Sequence, residues 1–125
     1  MTDKDVEITI DGSCKIVDPG SVTLKKSQRD KIKWVVTNNC PSGAVTVTID
    51  NFEDKRTHKT NPFGNNSPGD NRFDIGPVPT GKRDKTKGTK DATGDVGTYK
   101  YRISATINGT AAANSPLDPV VIIDN

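Results

Sequence analysis

Apolar and polar residues alternate one for one along most of the chain. Val6, Ile8 and Ile10 are interleaved with Glu7, Thr9 and Asp11, and Val22 and Leu24 with Thr23 and Lys25. Ile32, Trp34 and Val36 alternate with Lys31, Lys33 and Val35, and Val45, Val47 and Ile49 with Thr46, Thr48 and Asp50. Tyr99, Tyr101 and Ile103 alternate with Lys100, Arg102 and Ser104. A period of two buries one face of an extended strand, so each run predicts a half-buried strand. Turn residues separate them: Asp18-Pro19-Gly20, Ser27-Gln28-Arg29-Asp30, Asn38 to Gly43, and Asn108-Gly109.

Regularity fades from about Asn51 to Asn71, which predicts a long irregular central loop. Within it, Asp50 to Lys55 has the composition of a single helical turn. Phe73-Asp74-Ile75 restarts a short strand, and Gly81 to Gly97 is polar and Lys-rich. Val120 to Ile123 is apolar on both faces, as expected of a central or covered strand. No amphipathic stretch is long enough for a substantial helix, and no repeat of 20–50 residues is present. The expected fold is all-β, a Greek-key β-sandwich of seven or eight short strands.

Length and composition agree with this. A chain of 125 residues is the size of one domain, covering 1–125. Val and Ile number 21 against 3 for Leu and Met, an excess that suits a pleated surface rather than a helical bundle. Lys and Arg (18) nearly balance Asp and Glu (16), leaving a net charge of +2. No global field calls for nucleic acid or an anionic membrane. The N-terminus lacks a cationic, apolar leader. No segment approaches the roughly 20 apolar residues of a membrane span. As written the chain reads as cytoplasmic. A chain already stripped of its leader would read the same and belong in the periplasm or outside the cell.

Candidate chemistry is sparse. A Cys/His zinc site needs four ligands, and the chain has Cys14, Cys40 and His58. His58 has no Gly-x-Ser-x-Gly elbow to serve, and a single His in a Lys-rich loop reads as a surface residue. Glu occurs only at positions 7 and 53, so no carboxylate pair stands out for glycoside hydrolysis. Calcium is the better inorganic reading. Asp50, Glu53, Asp54 and Asp70 supply hard oxygens in two Asn/Asp-rich stretches. No EF-hand spacing accompanies them, and turns favour Asn and Asp anyway. Lys82 to Lys90 is basic but has no interleaved aromatic for base stacking, so it reads as a solvated segment. Asn65-Asn66-Ser67 and Asn108-Gly109-Thr110 match the glycosylation pattern but read as turns.

Several segments resemble the cupredoxin family. Pro19-Gly20-Ser21-Val22-Thr23-Leu24-Lys25-Lys26, followed by Asp30-Lys31-Ile32-Lys33-Trp34-Val35-Val36-Thr37-Asn38-Asn39, is similar to that family's P-x-x-V-T-V-K-K-G-D-x-V-T-W-x-N pattern. Phe73 to Gly81 and Gly97-Thr98-Tyr99-Lys100-Tyr101 look like its F-D-x-G and G-T-Y-x-Y segments. Asp118 to Ile123 resembles the last strand of some cupredoxin-like bacterial domains. The resemblance covers about half the chain, in the family's order. It also implies where copper ligands belong: a His near Gly43 to Val45, and a Cys at the position of Ile103. Neither is present, and one His cannot supply two imidazoles, so type-1 copper is excluded on ligand count.

The expected protein is therefore a metal-free, cofactor-free, non-catalytic cupredoxin-like module. Its partner is expected to be another protein, with no nucleic acid or membrane role, and its state a monomer or weak oligomer. The alternative is a calcium-dependent sandwich. In this topology the Trp34 strand and the Tyr99–Tyr101 strand are expected close together in one sheet, so that Lys31, Lys33, Lys100 and Arg102 form a basic partner-binding face. Cys14 and Cys40 are either a disulfide or two idle thiols. A cytosolic setting argues against the bridge, and a sandwich with both cysteines at one end argues for it.

Overall fold

The computed structural model describes residues 3–64, 71–86 and 89–125. Asp70, the Asn65-Asn66-Ser67 sequon and Lys87 lie outside the described residues. The described chain is all-β, with two mixed sheets packed face to face. In order come β1 (Asp3–Ile10), β2 (Ile16–Val17), β3 (Val22–Lys25), a 3₁₀ turn (Lys26–Gln28), β4 (Lys31–Asn38) and β5 (Val45–Glu53). Then follow β6 (Phe73–Val78), β7 (Arg83–Lys85), β8 (Lys90–Asp91), β9 (Gly97–Ile107), β10 (Thr110–Ala111) and β11 (Val120–Asp124).

The first sheet runs β2-β1-β4-β7, with β8 also on β4; the second runs β3-β11-β9-β5-β6, with β10 on β9. Two pairings are parallel: β1 with β4, in register Val6↔Trp34 and Ile8↔Val36, and β3 with β11. The rest are antiparallel. The described chain crosses between the sheets at five connections: β2–β3, β3–β4, β4–β5, β6–β7 and β8–β9. The first turns at Asp18-Pro19-Gly20, where the Gly20 N–H donates to Asp18 Oδ1 at 2.9 Å, and the β6–β7 crossing spans residues 79–82.

The expected strands are present, with eleven among the described residues instead of seven or eight. The additional ones (β2, β7, β8 and β10) have two or three residues each. Arg83–Lys85 is exposed throughout, so no hydrophobic period marks it. Where a helical turn is expected over Asp50 to Lys55, β5 runs on to Glu53 and a turn follows from Lys55. Asn51 adopts a left-handed φ of 59° inside a bulge, and one inserted residue shifts the alternation. Val45, Val47 and Ile49 face the core, and the bulge then turns Phe52 inward, where an unbroken alternation would have placed it outward. The Asn108-Gly109 pair, with φ of 53° and 79°, links β9 to β10 as the primed hairpin turn this dipeptide favours.

The core centres on an aromatic cluster that joins the sheets. Trp34 of β4 stacks on Phe73 at 5.1 Å between ring centroids and meets Tyr101 edge-on at 5.9 Å. Phe52 stacks on Tyr101 at 5.0 Å, and Phe63 closes edge-on against Phe52 at 5.3 Å. Trp34 Nε1–H donates to the Tyr101 hydroxyl at 3.3 Å, satisfying the indole where water cannot reach. Burial pushes the Tyr101 phenol up to about 12, outweighing the opposing effect of that hydrogen bond. Val121 and Ile123 of β11 are fully buried, and that strand is interior, between β3 and β9.

Trp34→Ala is expected to lower unfolding free energy by about 3–5 kcal/mol in a denaturant titration, while Lys85→Ala on the exposed β7 changes it little. Tyr101→Phe removes only the acceptor for the indole and is expected to cost about 1–3 kcal/mol.

Candidate functional site

The four cations expected to share one face do not. Lys31 and Lys33 are on β4 in the first sheet, and Lys100 and Arg102 are on β9 in the second. The core-facing neighbours Ile32, Trp34, Tyr99 and Tyr101 point toward each other, so the two basic pairs project from opposite sides of the sandwich. The first pair is also matched across strands, Lys31 with Asp91 at 3.6 Å and Lys33 with Asp5 at 3.7 Å. Arg83 of β7 extends this pattern to Glu7 at 2.7 Å. Such part-exposed pairs contribute no more than about 1 kcal/mol each, but they remove the uncompensated charge on which a basic face depends.

The outer side of the second sheet holds a surface cleft of about 590 Å³. Its floor is the β5–β9 ladder, where Glu53 lies opposite Lys100 and Asp50 opposite Arg102. Arg102 grips Asp50 with two parallel hydrogen bonds, Nε–Oδ1 and Nη2–Oδ2, both at 3.0 Å. That contact holds the guanidinium above its ordinary value. Lys55, Pro116 and Asp118 form the walls. The Lys55 ammonium donates to Glu53 Oε1 at 2.7 Å, and His58 Nδ1 lies 3.3 Å from the other oxygen. These contacts, Lys55 first, hold the Glu53 carboxyl below its ordinary range. Lys100 makes no ion pair with a described residue. His58 stands exposed beside Glu53, a surface ion-pair position.

The three described calcium candidates turn to different partners. Asp50 is committed to Arg102, and Glu53 to Lys55 and His58. Asp54 is buried, and its Oδ1 accepts the Arg56 and Thr57 N–H groups at 2.9 and 3.2 Å, while Oδ2 accepts that of Thr98 at 3.1 Å. Burial raises its pKa, but the three N–H donors prevail and hold the carboxyl below its ordinary range. A Cβ at Gly97 would collide with Asp54 Oδ2, so the close approach needs glycine there. No three His, Cys, Asp or Glu side chains converge among the described residues. The fourth candidate, Asp70, lies outside them.

The two positions that the resemblance assigns to copper ligands are apart. Val45 pairs with Ile107, whereas Ile103 pairs with Ile49 further along the ladder and is fully buried. At the end of the sandwich that holds Gly43, the chain is tied by other means. Cys14 and Cys40 form a disulfide with Cα atoms 4.7 Å apart. Asn38 Nδ2 donates to the Gly43 and Val78 carbonyls at 2.9 and 2.8 Å, and its Oδ1 accepts the Cys40 N–H at 2.9 Å. Thr80 Oγ1 donates to the Cys40 carbonyl at 2.7 Å. Sequence reasoning missed Asn38 and Thr80 because a polar residue closing a strand reads as a turn. Lys55 and Asp118 reach the cleft only through the bulge and the β9–β11 register, neither of which leaves a periodic signal.

Asp54 generates a pH expectation. Its folded pKa lies below its unfolded value, so its stabilisation is complete above about pH 4 and is lost as pH falls through the folded value. Asp54→Asn is therefore expected to be destabilising at neutral pH by chemical denaturation, with the gap to the wild type narrowing in acid. A gap independent of pH would contradict the carboxylate's role. No helix among the described residues is long and apolar enough to cross a membrane. Comparison of the chain with protein-family models and with curated proteins returns no match.

Proposed function

We propose that the protein is a non-catalytic, metal-free cupredoxin-like Greek-key module. It binds a polar surface of another protein through the outer side of the second sheet. The observation that carries this reading is the cleft around the Arg102–Asp50 pair. Its ionisable groups alternate in sign: Lys55, Lys100 and Arg102 against Glu53 and Asp118. The β5–β9 ladder presents Glu53, Lys100 and Arg102, and Asp50 fixes the direction of Arg102. Such a mosaic suits a partner with complementary charges and adds orientation more than affinity. It does not suit a polyanion, which favours uninterrupted positive charge.

The cupredoxin-like part of the reading draws on the resembling segments. They correspond to β3, β4, β6, β9 and β11, which supply most of the sandwich's buried apolar side chains. The disulfide favours an oxidising setting, so the proposed location is the periplasm or the cell exterior. The calcium alternative loses support because the three described candidate carboxylates, Asp50, Glu53 and Asp54, already serve Arg102, Lys55 and backbone N–H groups.

The test is affinity capture from the native host, comparing the wild type with a Lys55→Glu/Lys100→Glu variant of unchanged melting temperature. A partner retained by the wild type and lost by the variant is expected. Equal retention by both, or retention by neither, contradicts the proposal. Calcium is expected to leave the melting temperature unchanged, and a rise with calcium would restore the alternative.

A further inference from the structure

We propose that Cys14 is an exchangeable modification site, accepting a small thiol in mixed disulfide while the protein stays folded, with Cys40 as the resolving cysteine. The two cysteines differ in exposure. Cys40 is fully buried in the core, whereas Cys14 is half-buried and lies in the turn between β1 and β2. It lines a surface cleft of about 350 Å³ with Ser13, Ser42, Ile107 and Asn108. No charged side chain lines that cleft among the described residues, so none there repels an approaching thiolate. Ser42 Oγ is 3.7 Å from Cys14 Sγ. Because a disulfide sulfur carries no proton, the serine hydroxyl is the donor in that contact. Exchange depends on which sulfur is accessible, and here that is Cys14.

The second observation is that each side of the bridge is also held by hydrogen bonds that do not involve sulfur. On the Cys14 side, Asp11 Oδ1 accepts the Ser13 and Lys15 N–H groups at 2.9 and 3.0 Å, and the Cys14 N–H reaches the Asp11 carbonyl at 2.9 Å. Asn114 clamps the backbone of Ile16 through both its amide groups, at 2.9 and 2.7 Å. On the Cys40 side, Asn38 and Thr80 hold the backbone N–H and carbonyl of Cys40 itself. Opening the bridge therefore leaves two ordered loops with the sulfurs near each other, poised to close again.

The chemistry is a pair of displacements. An external thiolate attacks Cys14 Sγ, a new S–S bond forms, and the Cys14–Cys40 bond breaks. Cys40 leaves as the thiolate and is protonated to the thiol, which balances the proton that the external thiol gave up on ionising. This step exchanges sulfur partners without net oxidation. The reverse step has the Cys40 thiolate attack Cys14 Sγ and expel the small thiol. Full reduction needs a second thiolate on the outer sulfur of the adduct, and its two electrons come from the two thiols, which end as their own disulfide.

The test uses the folded wild-type protein and glutathione. After incubation the reaction is quenched with acid, free thiols are alkylated under denaturant, and the product is mapped by mass spectrometry. The expected product gains one glutathione, all of it on Cys14, with Cys40 alkylated. Its rate is expected to be flat across denaturant concentrations below the unfolding transition. An adduct on Cys40, adducts on both cysteines alike, no adduct in the folded state, or a rate that rises in step with global unfolding would each overturn the proposal. In parallel, Cys40→Ser with oxidised glutathione is expected to take up one glutathione at Cys14. Cys14→Ser is expected to leave Cys40 unlabelled until denaturant is added, and labelling of its folded form counts against the proposal.

Discussion

The indole of Trp34 is the contact on which the arrangement of the two sheets depends. It extends from β4 in the first sheet and touches Phe73 and Tyr101 of the second, while its N–H is satisfied across the interface by the Tyr101 hydroxyl. Five of the six aromatic residues of the chain meet in this cluster. In a domain with so few Leu and Met, they supply much of the bulky packing between sheets otherwise filled by Val and Ile. The same contact sets the direction of every neighbour along β4 and β9. With Trp34 and Tyr101 inward, Lys33, Lys100 and Arg102 can only be outward.

The surface follows from that constraint. Charged residues on the first sheet are matched across strands: Asp5 of β1 meets Lys33 of β4, and Glu7 of β1 meets Arg83 of β7. Edge protection and solubility are sufficient reasons for such a face. On the second sheet the matching is tighter at Arg102–Asp50 and leaves Lys100 outside it, which is why the proposed contact lies there. At the end tied by Cys14 and Cys40, stability comes from a covalent link and from side chains bonding to backbone.

Much of the fold was legible from the period-two runs. Val6-Ile8-Ile10, Ile32-Trp34-Val36 and Tyr99-Tyr101-Ile103 are strands with those residues buried, as their spacing dictates. Strand edges and sheet membership were not legible, because they depend on contacts between residues far apart in sequence. Lys31 and Lys100 look equivalent in an alternating pattern, and only the pairing of β4 with β1 and of β9 with β11 separates them. The Asn51 bulge was hidden for a local reason. One left-handed residue in an Asp/Asn-rich stretch resembles a turn, yet it resets the face of β5 and brings Phe52 into the core. β7 was hidden because a wholly exposed strand has no apolar side to betray it.

Native-state amide hydrogen exchange tests the inter-sheet joint most directly. If the aromatic cluster couples the two sheets, the amides of β4 around Val36 and those of β9 around Ile103 share the slowest exchange, with one common opening free energy equal to that of global unfolding. Slowest exchange confined to one sheet, with the other opening at lower free energy, would contradict a single cooperative core built on Trp34.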